Sequence, residues 1–267
     1  MTEPSSPSVR HFGAVNWLGF WTLYLREVRR FLKVSMQTLV APVVTTLLFL
    51  AIFLMAFGGQ QREIAGLPYL QFLAPGLVMM AITQNAFANT TSSLMIAKLQ
   101  GNIVDLLMPP LSPSELTWGM ALGGVTRGVA VGVAVLAAMA IVVPIRMPDP
   151  ALVLFHAVAA SLLLSVLGVI AGIWADKFDH IAAVTNFIVT PLSFLSGTFY
   201  SIDNLPAPWH AIALYNPFFY MIDGFRCGFI GRAEGSLAIG IVMMIALNAA
   251  LIALCHRLIA RGYKLKT

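Results

Sequence analysis

Apolar segments long enough to cross a lipid bilayer recur along almost the whole chain, and they constrain its fold more than any other feature. About 20 helical residues, at about 1.5 Å each, cross the roughly 30 Å of hydrocarbon in a membrane. Charged residues make up only 10 % of the sequence, against about 25 % in soluble domains. The sequence therefore predicts an all-α integral membrane protein, with six transmembrane helices at about residues 39–57, 69–95, 115–143, 151–174, 181–200 and 237–258.

The distribution of Lys and Arg predicts the orientation of these spans. Basic residues concentrate before the first span and after the last, so the positive-inside rule places both termini in the cytoplasm and requires an even number of crossings. Segment 205–230 is the poorest candidate for a span because it contains prolines, Asp223 and Arg226. We expect it to form two short re-entrant helices on the outer side, buried in protein. Cys227 and Cys255 then lie on opposite sides of the membrane, which excludes a disulfide within one chain.

The residues before the first span divide into a tail and an amphipathic helix. Residues 1–13 show no signal-peptide pattern, so we expect an uncleaved tail. Residues 14–33 combine aromatic side chains at helical spacing with a group of cations, which is typical of a helix lying along the membrane surface. The alternative, the start of a long first span, would bury four cations in hydrocarbon. The charged residues of this predicted interface helix are Arg26, Glu27, Arg29, Arg30 and Lys33. Residues 14–267 as a whole are predicted to form one membrane domain.

A short interruption between the second and third spans, residues 98–115, has the features of a docking element. Two prolines end a short helix, and Ser112, Pro113 and Glu115 form a capping box that begins the next helix. An apolar stripe on the short helix favours contact with a protein partner. This stripe consists of Ile103, Val104, Leu106 and Leu107.

The motifs that would make this chain an enzyme are absent from its sequence. No Gly-x-x-x-x-Gly-Lys-Ser/Thr phosphate loop, His-Glu-x-x-His motif, paired-cysteine metal spacing or Gly-x-Ser-x-Gly elbow occurs. We therefore expect no catalytic residue, no metal site and no cofactor bound by this chain. The net charge of +5 comes from cations at the ends of apolar segments, where lipid headgroups rather than nucleic acid are the expected partners.

A few polar residues are predicted at membrane depth. Arg127 lies in the third span, where it either lines a pathway, bridges helices or bonds to carbonyls or a polar side chain such as Asn85. The second span carries amides, Gln84 and Asn85 among them, which indicates that one of its sides faces protein or a water-filled path. Asp223 and Arg226 are one helical turn apart in the re-entrant segment and are candidates to pair there.

Three groups of motifs occur in an informative order. The first is Gly-Asn-Ile-Val-Asp-Leu-Leu at 101–107, followed by Pro-Leu-Ser at 110–112 and by Glu115. The second is Pro-Leu-Ser-Phe-Leu-Ser-Gly-Thr-Phe-Tyr at 191–200. The third comprises Leu-Pro at 205–206, Asn-Pro at 216–217 and Asp-Gly-Phe-Arg at 223–226. Together they resemble the permeases of type-2 ABC exporters, and most closely the bacterial single-domain group that includes nodulation-factor, drug and cell-surface polysaccharide exporters.

This resemblance implies a half-transporter in the bacterial inner membrane. Two permease copies, expected to be identical, would pair with two copies of a separate ABC ATPase, which uses ATP and Mg²⁺. The interface helix would contact that ATPase, and the substrate path would lie between the permeases, lined by the first, second and fifth spans. The implied coupling helix comprises Gly101, Asn102, Ile103, Val104, Asp105, Leu106 and Leu107. The candidate residues of the pathway and the outer gate are Asn85, Arg127, Leu195, Phe199 and Tyr200.

These observations predict the permease subunit of an ATP-driven exporter that moves an amphipathic, lipid-linked or glycan substrate outward. Two alternatives remain at the level of the sequence, a carrier driven by an ion gradient and a membrane scaffold that transports nothing. A gradient-driven carrier usually needs carboxylates inside the membrane. The Asp and Glu residues are expected in loops, at span ends or in the outer segment, which weakens that alternative.

Overall fold

A computed structural model of the protein describes residues 13, 15–57, 63–64 and 67–265. Apart from Gly13, the predicted tail lies outside the described residues. The helices, numbered in chain order, are α1 (Trp17–Leu32), α2 (Ala41–Phe57), α3 (Tyr69–Leu99), α4 (Ile103–Leu107), α5 (Pro113–Met139), α6 (Pro150–Trp174), α7 (Phe178–Val184), α8 (Thr190–Phe194), α9 (Ala207–Tyr215), α10 (Pro217–Ile230) and α11 (Leu237–Ala260). Two-residue strands β1 (Glu63–Ile64) and β2 (Leu67–Pro68) pair antiparallel before α3.

Five of these helical segments are long and apolar enough to cross a membrane. They are Met36–Ala56, which joins a π-helical turn to α2, and the helices α3, α5, α6 and α11. The predicted all-α membrane fold is therefore confirmed. The predicted span at 181–200 corresponds to a shorter helical segment made of α7, the π-helical turn Thr185–Val189 and α8. From Phe178 to Phe194 this segment is about 25 Å long, so the sixth crossing stays a prediction.

Helix α3 forms the centre of the bundle and packs between α5 and α6. Glycines allow the close approach, because a Cβ on Gly124 of α5 would run into the Ser165 side chain of α6, and one on Gly168 of α6 into Thr90 of α3. Hydroxyls then bond across the helices: Thr90 Oγ1 donates to the Ser165 carbonyl at 2.8 Å, and Ser165 Oγ to the Ala121 carbonyl at 2.8 Å. Small residues with interhelical hydrogen bonds are the usual means of packing helices in membranes.

The outer surfaces of the bundle are apolar. Helix α2 and helix α11 bury little of their length, and α2 exposes Val44, Leu48, Ile52 and Met55. Such faces suit lipid or a second membrane subunit.

Segment 205–230 forms two short helices, as the sequence predicts. Asn216 ends α9 and caps α10, since its Oδ1 accepts from the Phe218 N–H at 3.0 Å. Its Nδ2 donates to the Leu192 carbonyl at 3.0 Å and so attaches both helices to α8. Helix α10 is buried along most of its length against α3, α6 and α11. This end of the bundle is called the α10 end below, and the opposite end the α4 end.

Candidate functional site

Helix α1 packs along α5 with one face and exposes the other. Leu23 and Glu27 lie directly against Gly119 and Gly123 of α5, where a Cβ would clash with them. Basic side chains of Arg26, Arg29 and Lys33 are exposed, as are the aromatic rings of Trp17 and Trp21. Within the segment 14–33 predicted to form an interface helix, residues Trp17–Leu32 are helical and carry their exposed cations on the open face; contact of this helix with the membrane surface stays a prediction.

Two residues predicted for that charged surface, Glu27 and Arg30, instead bond within the chain. Glu27 is fully buried; its Oε1 accepts from Ser93 Oγ at 2.8 Å and its Oε2 lies 3.2 Å from Arg30 Nη2. Arg30 Nη2 also donates to the Asn89 carbonyl at 2.6 Å and to Asn89 Oδ1 at 2.9 Å, and Nη1 donates to Ser92. This cluster fixes α1 to α3. The expectation that every carboxylate lies in a loop, at a span end or in the outer segment missed the burial of Glu27.

The short helix α4 uses most of its apolar stripe to pack against its own chain. Ile103 and Leu106 are buried in a cluster with Leu94, Leu116 and Met120, so the expectation that the whole stripe faces a partner is wrong. A helix this close to its own bundle buries the side chains that point inward. The exposed face consists of Asn102, Val104, Asp105 and Met108, with Met108 77 % exposed.

Glu115 joins α1, α4 and α5 at this end of the bundle. The predicted capping box is present, because Ser112 Oγ accepts from the Glu115 N–H and Glu115 Oε2 accepts from the Ser112 N–H at 2.6 Å. The second carboxylate oxygen accepts from the Asn16 N–H at 2.6 Å. Asn16 caps α1 through Gly19 and also donates to the Pro110 carbonyl at 3.2 Å. The start of α1 and the loop after α4 are thus one hydrogen-bonded unit, which no local sequence signal predicts.

Two lysines bond to the C-terminal end of α6 beside that unit. Lys98 Nζ donates to the Ile173 and Ala175 carbonyls, the latter at 3.0 Å, and Lys264 Nζ donates to the Trp174 carbonyl at 3.0 Å. Cations at this position also interact favourably with the helix dipole. Lys264 lies 2.6 Å from Asp176 and lowers the pKa of that carboxyl below its usual range.

A groove of about 630 Å³ opens between α1, α2, α3 and α5 and is called the polar groove below. Arg127 of α5 lines it and donates from Nη2 to Asn85 Oδ1 of α3 at 3.1 Å. This contact is one of the alternatives that the sequence left open for Arg127. The polar side chains that line the groove are Arg30, Gln37, Thr38, Thr45, Thr46, Gln84, Asn85, Ser92 and Arg127.

A second cavity of about 440 Å³ lies on the other side of the α3 amides, between α3 and the α7–α8 segment. Gln84, Asn85 and Ser92 line both cavities. Polar residues of α3 therefore face open space between α2, α3 and the α7–α8 segment, which are the elements of the first, second and fifth predicted spans.

Aromatic rings surround Phe199 at the α10 end. Its ring stacks on Phe194 with centroids 5.3 Å apart and on Phe53 at 5.4 Å, and the Phe49 centroid is 6.5 Å away. Tyr69 of α3 donates its hydroxyl to the Phe199 carbonyl at 3.0 Å. Of the other predicted gate residues, Leu195 is 50 % exposed and Tyr200 is partly buried. The cluster joins α2, α3 and the segment after α8.

Asp223 and Arg226, predicted as a pair within α10, bond to other elements instead. Asp223 accepts from the N–H groups of Glu234 and Gly235, both at 2.9 Å. Arg226 donates to the Gly197 carbonyl at 2.6 Å and stacks 3.7 Å above the Phe72 ring. Within the described part of the chain no ion pair joins them. Helix α10 is buried on nearly all sides, so each of these side chains has partners on a neighbouring segment. Asp223 bonds to the loop after α10, and Arg226 bonds to the turn at Gly197.

Gly197 adopts a positive φ of 74°, which a residue with a side chain rarely tolerates. Its carbonyl turns towards Arg226, so the buried guanidinium holds the turn between Leu195 and Tyr200. In the loop between α10 and α11, burial raises the pKa of Glu234, while the positive charge of Arg226 opposes this shift. Arg226 is therefore a structural support of the predicted gate segment, which sequence spacing alone did not indicate.

Known proteins are similar in sequence to most of this chain. Residues 19–230, from α1 to the end of α10, match the family described as ABC-2 type transporter. The chain belongs to the ABC-2 type transporter family. The inner membrane transport permease YadH of Escherichia coli K12 is 37 % identical over 94 % of this chain and 98 % of its own.

More distant relatives of this ABC-2 type transporter chain are nodulation proteins. Nodulation protein J of Rhizobium leguminosarum bv. viciae is 23 % identical over 86 % of this chain and 89 % of its own. Nodulation protein J of Sinorhizobium fredii is 22 % identical over 85 % of this chain and 86 % of its own. The resemblance noted in the sequence motifs is thereby confirmed.

Among the described residues, no group of three or more His, Cys, Asp or Glu could hold a metal ion.

Proposed function

We propose that this ABC-2 type transporter chain is the permease subunit of an exporter in the bacterial inner membrane, driven by a separate ATPase subunit. The observation that supports it best is the joined unit at the α4 end, where hydrogen bonds of Asn16 and Glu115 tie the start of α1 to the loop after α4 and to the start of α5. A partner that pushes on α1 or α4 would move both. The name of the relative in Escherichia coli supports the assignment as a membrane permease.

The energy source is proposed to be a partner chain. Two ATPase copies would bind ATP and Mg²⁺, and each would contact the exposed face of α4, with the basic face of α1 beside it. Because α2 and α11 expose long apolar faces, the permease is proposed to function as a homodimer with lipid around it. The α4 end and both termini are assigned to the cytoplasm, in agreement with the positive-inside rule.

The substrate is proposed to be amphipathic, lipid-linked or glycan, and to move outward. The two cavities beside Gln84 and Asn85 supply polar contacts. The rings around Phe199 supply an apolar or stacking surface towards the α10 end. A molecule with a polar head and an apolar or sugar-containing body matches this order of surfaces.

Docking of the ATPase can be tested on the exposed face of α4. The double variant Val104→Glu and Asp105→Arg changes two exposed side chains and leaves Ile103 and Leu106 in the core. We expect the purified permease–ATPase complex to lose at least tenfold in affinity between its subunits, because the variant places a buried charge and a reversed charge at the contact. The measurement is co-purification and ATP hydrolysis of the reconstituted complex.

The control is Asp203→Arg, which repeats the Asp→Arg charge reversal on an exposed side chain at the α10 end. It is expected to leave assembly and hydrolysis unchanged. Normal assembly of the α4 variant would show that α4 is not the coupling helix. Transport by the permease alone, abolished by an ionophore and indifferent to ATP, would instead support a gradient-driven carrier.

A further inference from the structure

The polar groove contains an arginine whose charge has no counter-ion among the described residues. Arg127 makes a hydrogen bond to the neutral amide of Asn85, and its Nε is buried without a hydrogen-bond partner. Among the described residues, no carboxylate oxygen lies within 4.0 Å of its guanidinium. A guanidinium carries five N–H donors, and a charge at membrane depth is stable only with partners. Arg127 therefore has donors and charge left for a group that enters the groove.

The rest of the groove lining adds to this positive character. Arg30 also lines it, with 28 % of its side chain exposed. Glu27 balances Arg30 at 3.2 Å, but the carboxylate is fully buried behind Arg30 and is not part of the lining. The remaining polar lining residues are amides and hydroxyls, and no acidic side chain is among them. With Glu27 assigned to Arg30, one positive charge of the groove, that of Arg127, is not compensated by any described residue.

The groove is also built for an amphiphile. Its volume of about 630 Å³ exceeds that of a single phosphate group and leaves room for the atoms attached to it. The polar side chains share the lining with apolar side chains of Val34, Phe49, Leu77, Met80 and Ile96. A head group at Arg127 could thus continue into an apolar tail along the same wall.

We propose that the polar groove binds the phosphate head group of an amphiphile, with Arg127 as its principal ligand and Arg30 and Gln84 at its margin. Arginine presents N–H donors that match phosphate oxygens, and among the described residues only Nη2 of Arg127 has a partner, Asn85. The amphiphile is either the transported molecule or a phospholipid of the bilayer. Only its assignment as cargo rests on the export function proposed above; the binding site does not.

Binding can be measured on the full chain purified in dodecyl maltoside, with dodecyl phosphate as the probe and native mass spectrometry as the readout. We expect saturable binding of one dodecyl phosphate per chain. Arg127→Gln should weaken it at least tenfold, while Arg257→Gln, which removes an exposed arginine of α11, should change it less than twofold. Equal affinity of the Arg127→Gln variant and the unmodified chain would overturn the proposal.

A second variant separates ligand binding from a merely structural role of Arg127. Asn85→Asp places a carboxylate where the amide now lies 3.1 Å from Nη2, so that the chain supplies its own counter-ion. We expect the melting temperature to stay level or rise, while dodecyl phosphate binding weakens at least tenfold. A variant that keeps the affinity of the unmodified chain would contradict the proposal, and this test also applies if Arg127→Gln fails to fold.

The two sources of the phosphate can then be distinguished. If dodecyl phosphate raises ATP hydrolysis of the reconstituted permease–ATPase complex at least twofold, and does so only with Arg127 present, the groove receives cargo. If instead phosphorus analysis finds about one phospholipid per chain that is lost in Arg127→Gln, with no change in hydrolysis, the groove holds a bilayer lipid. If the chain binds dodecyl phosphate but assembles with no ATPase, the binding site is supported and the proposed export function is contradicted.

Discussion

Glu115 connects helices that are distant in the sequence through its two carboxylate oxygens. One oxygen completes the capping box of α5, and the other accepts from Asn16, 99 residues away in the chain. Hydrogen bonds to a charged acceptor are stronger than those between neutral groups. At the residue scale, this side chain therefore sets the position of α1 relative to the loop after α4.

Removing this carboxylate should be measurable as a loss of stability. Glu115→Ala leaves the N–H groups of Asn16 and Ser112 without their acceptor, and caps of this kind contribute about 1–2 kcal/mol. For a chain of this size that corresponds to a fall in melting temperature of about 2–8 °C, measured by tryptophan fluorescence in detergent. Asp105→Ala, at an exposed site without a cap role, is the control and should shift it by less than about 2 °C. Equal melting temperatures of Glu115→Ala and the unmodified chain would show that the hydrogen bonds of the Glu115 carboxylate contribute nothing to stability.

At the scale of elements, the contact between α5 and α6 decides the shape of the bundle. Gly124 faces the Ser165 side chain and the Ala86 carbonyl so closely that a Cβ has no space. Backbone atoms of α3 cannot move aside as a flexible side chain can. The spacing of α3, α5 and α6 therefore depends on this glycine being small.

We expect Gly124→Leu to force these helices apart. Overpacking of a closed contact costs about 3 kcal/mol, which corresponds to a fall in melting temperature of about 6–12 °C. Ala137→Leu adds a similar side chain on the exposed face of the same helix and should leave the melting temperature nearly unchanged. A thermal melt of the two purified variants makes the comparison, and equal effects would mean that the α5–α6 contact can expand at little cost.

At the scale of the whole molecule, its orientation in the membrane assigns a side to each end of the bundle. The α4 end carries exposed cations of α1 and the lysines bonded to α6, while the α10 end carries the aromatic cluster and the two short helices. The positive-inside rule assigns the first to the cytoplasm. With that orientation, the proposed export would run from the α4 end to the α10 end.

Cysteine labelling can establish the orientation. With Cys227 and Cys255 replaced, a membrane-impermeant thiol reagent should label Asn204→Cys in intact cells and Asn102→Cys only in inverted vesicles. Both positions are exposed on the surface of the chain, so in cells that lack the partner ATPase, which would cover α4, labelling depends only on the side of the membrane. The opposite pattern would invert the proposed topology and place the α4 end outside, where no cytoplasmic ATPase could contact it.

The sequence by itself determined the class of the fold and the ends of several elements. Long apolar segments predicted α2, α3, α5, α6 and α11, because only helices satisfy their backbone hydrogen bonds across hydrocarbon. Capping residues predicted the start of α5, and prolines predicted the division of segment 205–230. Each of these features is determined by residues close together in the chain, so it can be predicted without knowledge of the tertiary contacts.

Only the tertiary structure decided which faces meet. In a membrane protein, lipid-facing and buried side chains are both largely apolar, so the sequence indicates that the less apolar α3 has a side turned to protein but not which helices pack against it. Likewise, the partners of Glu27, Asp223 and Arg226 come from distant segments. The same holds for Arg127, because the packing of the helices determines whether any carboxylate lies close enough to compensate its charge.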